Sequence, residues 1–269
     1  MNWFGYIAFL FIGIILGLIG GGGSVLGVPV LVYIMDYRAE TATAYSLFIV
    51  GLTSLIGAFS YLRKGELSGE ALLRFAIASM IAVFCTRKFI MPAIPNEMIF
   101  LGTQISKHTL IMIVFSILIL CSSYSMIRKR KANTKNKLNW EEFNRSPVGL
   151  PFVILLGICV GIITGFVGAG GGFIIVPVLM FVLQLSFKKA IGTSLCIIAA
   201  NSLIGFSAQL GHSEIDWKTL FIISAISVLG ILLGSLFSGK ISSRKLKPAF
   251  GWFTLCVGVF VLVKELFFV

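Results

Sequence analysis

The chain has 269 residues, 58% of them hydrophobic and only 12% charged, with a formal net charge of +12. Ordinary soluble domains carry about 45–50% apolar and about 25% charged residues, so a water-soluble globule of this length is excluded. Lysines and arginines lie between apolar runs and form no basic face with interleaved aromatics, which argues against a nucleic-acid partner and leaves the lipid bilayer as the solvent.

The apolar runs lack the period-2 alternation of barrel strands, and the other structure that lipid admits is the helix, whose backbone groups are satisfied internally. The chain opens MNWFGYIAF, with no basic residue ahead of the apolar stretch, and predicts a retained first helix rather than a signal peptide. The first segment, residues 4–35, is too long for one straight span: about 30 residues rise about 45 Å, against a hydrocarbon core of about 30 Å. Its break is expected at Gly20 to Gly23, because glycine weakens a helix and admits backbone conformations closed to other residues; Pro29 removes a further donor. Helices near 42–62, 71–92 and 109–127 follow. The stretch RKRKANTKNKLNWEEFNRSP, Arg128 to Pro147, is polar and charged and reads as a linker. Beyond it come a second long segment at 149–183, broken at Gly170 to Gly172 and carrying Pro177, then helices near 189–210, 218–239 and 248–268.

The two long segments are one motif written twice. GLIGGGGSVLGVPVL, Gly17 to Leu31, aligns without a gap on GFVGAGGGFIIVPVL, Gly165 to Leu179. The same register carries Ala42, Ser46 and Leu47 onto Ala190, Ser194 and Leu195, the block Ser54 to Gly57 onto Ser202 to Gly205, and Glu66 onto Glu214. Residues 1–127 are therefore read as a first transmembrane repeat, 128–147 as a linker and 148–269 as a second repeat. The fold expected is an all-α integral membrane protein with about four spans per half, each half starting with a glycine-broken or re-entrant helix. If each long segment crosses once, the repeats are parallel and the basic residues divide evenly between the two sides. If each folds back at its glycines, the repeats are inverted, the Arg128 to Arg145 linker is cytoplasmic, and most basic loops lie with it, as the positive-inside rule asks. The inverted arrangement is preferred, and it predicts that loops 63–70 and 211–218 face opposite sides.

Gly20, Gly21, Gly22, Gly23 and Ser24 in one half, and Gly168, Gly170, Gly171 and Gly172 in the other, are the leading substrate-site candidates. A helix broken inside the bilayer exposes N–H groups whose partial positive charge suits an anion, and irregular backbone survives at that depth only where protein or a watery cavity covers it. Pro29, Pro177, Ser46, Thr193, Ser194 and Asn201 belong to the same candidate set, although Ser and Thr in membrane helices often only bond the preceding turn. Gly13/Gly17, Gly161/Gly165 and Gly230/Gly234 have small-xxx-small spacing and read as helix packing; alanine at Gly230 is expected to cost little transport. All ten acidic residues fall in predicted loops or at span ends, so coupling through a buried carboxylate is not expected. Glu66, Glu214 and His212 remain gate or coupling candidates. The two histidines have no acidic or cysteine neighbours that complete a metal set; neither metal nor cofactor is expected, and no catalytic residues are assigned. The five cysteines form no CxxC pair and are expected to be reduced and buried.

The paired glycine-proline motifs, the phrase KKAIGTSLCIIAANSLIG from Lys188 to Gly205, and HSEIDWKTL after it resemble the TauE/SafE family of membrane transporters. The resemblance spans nearly the whole chain, except Thr86 to His108. It implies a permease or exporter of sulfite, sulfonates or related sulfur-containing or organic anions, set in the inner or plasma membrane as a multi-pass protein. A secondary carrier is the leading reading, with a small anion as partner and room for a homo-oligomer. A passive anion channel, a membrane-embedded enzyme and a scaffold are the alternatives.

Overall fold

The computed structural model describes residues 3–19, 21–63, 65, 67–95, 97–100, 103–127, 149–210, 215–237 and 243–267. The Arg128 to Pro147 linker thus lies outside the described residues, as do Gly20, Glu66, His212 and Glu214. Helix α1 is Trp3–Ile19; a 3-10 segment, Gly21–Leu26, leads into α2, Gly27–Tyr33, and then α3, Ala39–Arg63. Helix α4, Gly69–Cys85, continues through a π-helical stretch, Thr86–Ile90, into the short α5, Met91–Ala93. Strands β1, Glu97–Phe100, and β2, Thr103–Ser106, precede α6, Lys107–Ile127. The second half comprises α7 (Gly149–Val167), α8 (Gly172–Phe181), α9 (Phe187–Ser207), α10 (Trp217–Phe237) and α11 (Ser243–Phe267).

The protein is an all-α bundle with one small antiparallel hairpin, in which Glu97 faces Ser106 and Phe100 faces Thr103. The hairpin lies in the stretch that the family resemblance did not cover. Ala39–Arg63, Phe75–Ala93, Lys107–Tyr124, Lys188–Ser207 and Trp217–Phe237 are each long and apolar enough to cross a membrane. The outer surface repeats the message of the composition: Phe4 is 80% exposed and Leu236 72%, with Leu73, Ile81 and Leu229 beside them in kind. Apolar surface on this scale is the face a protein turns to lipid, not water. The cysteines correct an expectation. Cys85, Cys121, Cys159 and Cys256 are free but exposed on outward helix faces, since a thiol is apolar enough for lipid contact, and Cys196 is half-buried.

Both long segments break at their glycines. In the first, a methyl on Gly5 would meet the Met35 side chain at 2.7 Å, and one on Gly23 would meet the Leu16 amide nitrogen at 2.8 Å. The start of α1 and the end of α2 therefore share one end of the bundle, and the segment folds back on itself. In the second, Gly168, Gly170 and Gly171 adopt left-handed φ of +71°, +67° and +71°, the region that costs glycine nothing and other residues a good deal. Val153 and Val160 of α7 then share a buried cluster with Leu179 and Leu183 at and beyond α8.

Helix pairing follows the small residues. Gly13 and Gly17 of α1 sit on α10, where added methyls would lie 2.2 Å from the Ser227 carbonyl oxygen and 2.6 Å from that of Ile231. Gly161 and Gly165 of α7 sit on α4 in the same way, against the Ser79 carbonyl oxygen at 2.5 Å and the Val83 Cα at 3.2 Å. Backbones come this close only where a side chain is missing. Gly230 is packed on the Leu10 carbonyl oxygen at 2.3 Å, so alanine there would force the two backbones apart, contrary to the mild effect expected from sequence.

Helices α3 and α9, which align in sequence, run antiparallel: Gly51 meets Leu203, Gly57 meets Leu195, and Gly205 meets Leu47. The last two contacts exchange under the register that carries Leu47 onto Leu195 and Gly57 onto Gly205. The contact of Gly13 with Ser227 and that of Gly161 with Ser79 exchange in the same register. The remaining large pairing, α6 with α11, is buttressed by a Ser123–Thr254 hydroxyl contact of 2.8 Å.

Candidate functional site

Where the two broken segments meet, the first half's 3-10 turn packs against α8 of the second half. Gly21 and Gly22 belong to that turn. Gly23 is buried against α1, and Ser24 is fully buried. Pro29 is a buried residue of α2, and Pro177 lies inside α8. Ser46 is fully buried, its Oγ without a hydrogen-bond partner, in the space that Gly27 leaves open: a methyl on Gly27 would come within 2.8 Å of it. Gly170 lies against α9, where its methyl would reach the Ser202 Oγ at 2.9 Å; Gly171 caps α8, of which Gly172 is the first residue.

The polar candidates on α9 have separate occupations. Thr193 accepts a hydrogen bond from the Ser68 amide at 3.0 Å, which ties the loop after α3 to the start of α9. Ser194 donates to the Ile191 carbonyl at 2.8 Å, the local bond that membrane serines often make. Asn201 is buried and its Oδ1 accepts from the Ser79 hydroxyl at 3.1 Å, while its Nδ2 has no partner. Ser54 and Ser202, matched by the repeat, are also fully buried with unpartnered hydroxyls. Unpaired donors at this depth are costly, and here they gather along the α3/α9 pair beside the second glycine turn.

One charge at that turn is buried. Arg87 projects inward from the π-helical stretch and is 2% exposed, while its neighbour Lys88 faces out over the Phe84 ring. π-Turns within helices are frequent at functional positions because they re-aim one side chain. The Arg87 Nη1 donates to Thr43 Oγ1 at 3.1 Å and to Gln209 Oε1 at 2.9 Å, whereas Nε and Nη2 have no hydrogen-bond partner. Thr43 can accept because its own hydroxyl donates to the Glu40 carbonyl at 2.9 Å. No described carboxylate pairs with the guanidinium. Gly168 makes the arrangement possible: a methyl there would lie 2.1 Å from Nη2 and 2.4 Å from the Thr43 Cβ. Nε and Nη2 form one edge of the guanidinium, along which two N–H bonds run parallel, the fork that receives two oxygens of one anion. A signal for Arg87 was present, since FCTRKFIM sits within the expected 71–92 span and a charge inside a span is a functional candidate by default.

A model of the family Sulfite exporter TauE/SafE matches residues 6–261. The chain belongs to this family. Among similar proteins, a "probable membrane transporter protein" of Xylella fastidiosa (strain 9a5c) is 28% identical over 259 residues, covering 94% of this chain and 92% of its own length. The probable membrane transporter protein YdhB of Bacillus subtilis is 26% identical over 88% of this chain and 91% of its own. The probable membrane transporter protein MJ0441 of Methanocaldococcus jannaschii is 34% identical over 42% of this chain and 44% of its own. No solved structure matches. Family, relatives and apolar helices together make this a multi-pass membrane transporter.

Proposed function

We propose that the transporter is a secondary carrier of a small anion in the cell membrane, alternating access by rocking two related halves about the meeting point of their broken helices. The substrate class that fits is sulfite, a sulfonate or another sulfur-containing or organic anion. The observation that carries this reading is Arg87, a buried guanidinium whose Nε and Nη2 have no hydrogen-bond partner, with no carboxylate partner among the described residues and the Gly168 backbone against it. A buried cation so placed is strongly destabilising unless an anion complements it. The glycines from Gly168 to Gly172 let such an anion approach the backbone, and Ser202 and Asn201 supply further donors. The antiparallel packing of α3 on α9 supports an inverted relation between the halves.

The test is uptake of labelled sulfite, thiosulfate, an alkanesulfonate and small carboxylates into proteoliposomes. Saturable counterflow of one of them is expected; large unitary currents without counterflow would replace the carrier by a channel. Topology is checked by single cysteines in a Cys-free background. Arg63→Cys and Lys218→Cys are expected to label from opposite sides, and labelling from one side would return the parallel arrangement.

A further inference from the structure

Among the described residues Glu265 is the acidic residue whose side chain is buried, although it stands at a span end as the sequence predicts. It sits near the end of α11, yet its side chain is 1% exposed. Its Oε1 accepts a hydrogen bond from the Tyr33 hydroxyl at 2.7 Å, and its Oε2 is buried without a hydrogen-bond partner. The groups that face it come from several elements. From α2 there is Tyr33, whose ring carries the Lys264 ammonium 4.1 Å above it. From α6 there is His108, its Nε2 3.8 Å from Oε1 and its side chain 31% exposed. Helix α3 contributes the Ala39 amide, which donates to His108 Nδ1 at 3.1 Å. The other charges nearby in sequence are engaged elsewhere: Lys107 with the Met91 carbonyl at 2.7 Å, Arg38 with Glu40 at 4.0 Å.

This arrangement distributes the roles. Because Nδ1 of His108 accepts from Ala39, its proton is on Nε2, pointing at Glu265; a second proton on Nδ1 would forfeit the bond to the first residue of α3. Glu265 has no such constraint, and a proton on its bare Oε2 neutralises a buried charge without breaking any contact. The imidazole beside it is partly exposed. The link to the anion is short. Ala39, which holds His108, and Thr43, which holds Arg87, are four residues apart on α3, about 6 Å along the helix axis and on one face.

We propose that Glu265 is a proton-binding site that couples proton movement to anion movement, resting on the carrier reading above. The step is proton uptake by the carboxylate on Oε2, giving the neutral acid; the Tyr33 hydroxyl then faces a weaker acceptor, and the hold of the re-entrant α1–α2 hairpin on α11 loosens. An anion arriving beside Arg87 adds negative charge as the proton removes it, so the two travel together, as a symport.

The experiment uses the full chain in proteoliposomes with thiosulfate and methanesulfonate, which keep one charge state across mild pH, alongside sulfite. An inward proton gradient is expected to raise accumulation of a transported anion about fivefold or more over no gradient, the range of ordinary site-to-site coupling. Glu265→Gln, at normal membrane abundance, is expected to lose that response while keeping counterflow within about threefold, because exchange needs no net proton step. Tyr33→Phe, which removes a donor to the carboxylate, is expected to move the pH of half-maximal uptake upward. Wild-type counterflow that ignores the gradient would overturn the coupling while sparing the carrier. A gradient response that survives in Glu265→Gln, or counterflow lost in folded Glu265→Gln, would overturn it too, the latter making Glu265 a structural latch. Absence of counterflow for every anion would instead remove the carrier reading beneath it.

Discussion

The two glycine breaks carry similar motifs and differ in structure. The first runs through a 3-10 turn into α2 and presses Gly23 onto the Leu16 and Ile12 backbone of its own hairpin. The second turns on three left-handed glycines and presses Gly168 onto Arg87 and Thr43. In the register of the repeat, Arg87 falls on Ser235, Thr43 on Ile191 and Gln209 on Tyr61; the whole polar cradle is missing from the other half. Small residues that let backbones touch are shared between halves, because both need the same helix crossings. The charge exists once.

Removing the charge should separate the halves most sharply. Arg87→Met is expected to lower transport about 100-fold with the protein still folded, since truncating one member of a buried charged contact costs about 2–5 kcal/mol. Arg87→Lys keeps the charge but loses the fork, and is expected to recover only about a tenth of the wild-type rate. Ser235→Ala, at the matched place in the other half, should transport normally. Uptake kinetics at matched membrane abundance decide it, and equal losses at Arg87 and Ser235 would dissolve the asymmetry.

Gly168→Ala comes next. It combines a left-handed φ with a methyl inside the guanidinium, a strain of about 1–3 kcal/mol, and is expected to lower transport about tenfold while reducing the detergent melting temperature. A smaller effect is expected where the halves are alike. Gly13→Ala and Gly161→Ala should each destabilise by about 1–3 kcal/mol through overpacking, and by similar amounts, because each collides with the carbonyl of a matched serine; thermal unfolding in detergent reads this. Gly230→Ala belongs with them. Ser194→Ala sits at the bottom of the scale, within about 0.5 kcal/mol and near-normal transport, because it removes only a local bond to Ile191.

The membrane class, the helices and the glycine breaks were legible in the residues themselves, because lipid dictates long apolar runs and because a break needs glycine whatever surrounds it. Family membership was legible in the same motifs. The inward face of Arg87 was not: FCTRKFIM shows two adjacent basic residues near a span end, and only the π-helical stretch and the packing of α4 against α7 and α9 decide that one enters the core and the other meets the surface. Glu265 was hidden for the same reason. A carboxylate at a span end reads as exposed until Tyr33 of α2 and His108 of α6, more than a hundred residues away in sequence, close over it. Sequence periodicity specifies which residues can face lipid, since that depends on local spacing alone. Which polar side chains meet inside depends on how helices far apart in the chain cross, and that was settled by backbone approach at Gly13, Gly57, Gly161 and Gly168, a property of the assembled bundle and of no single segment.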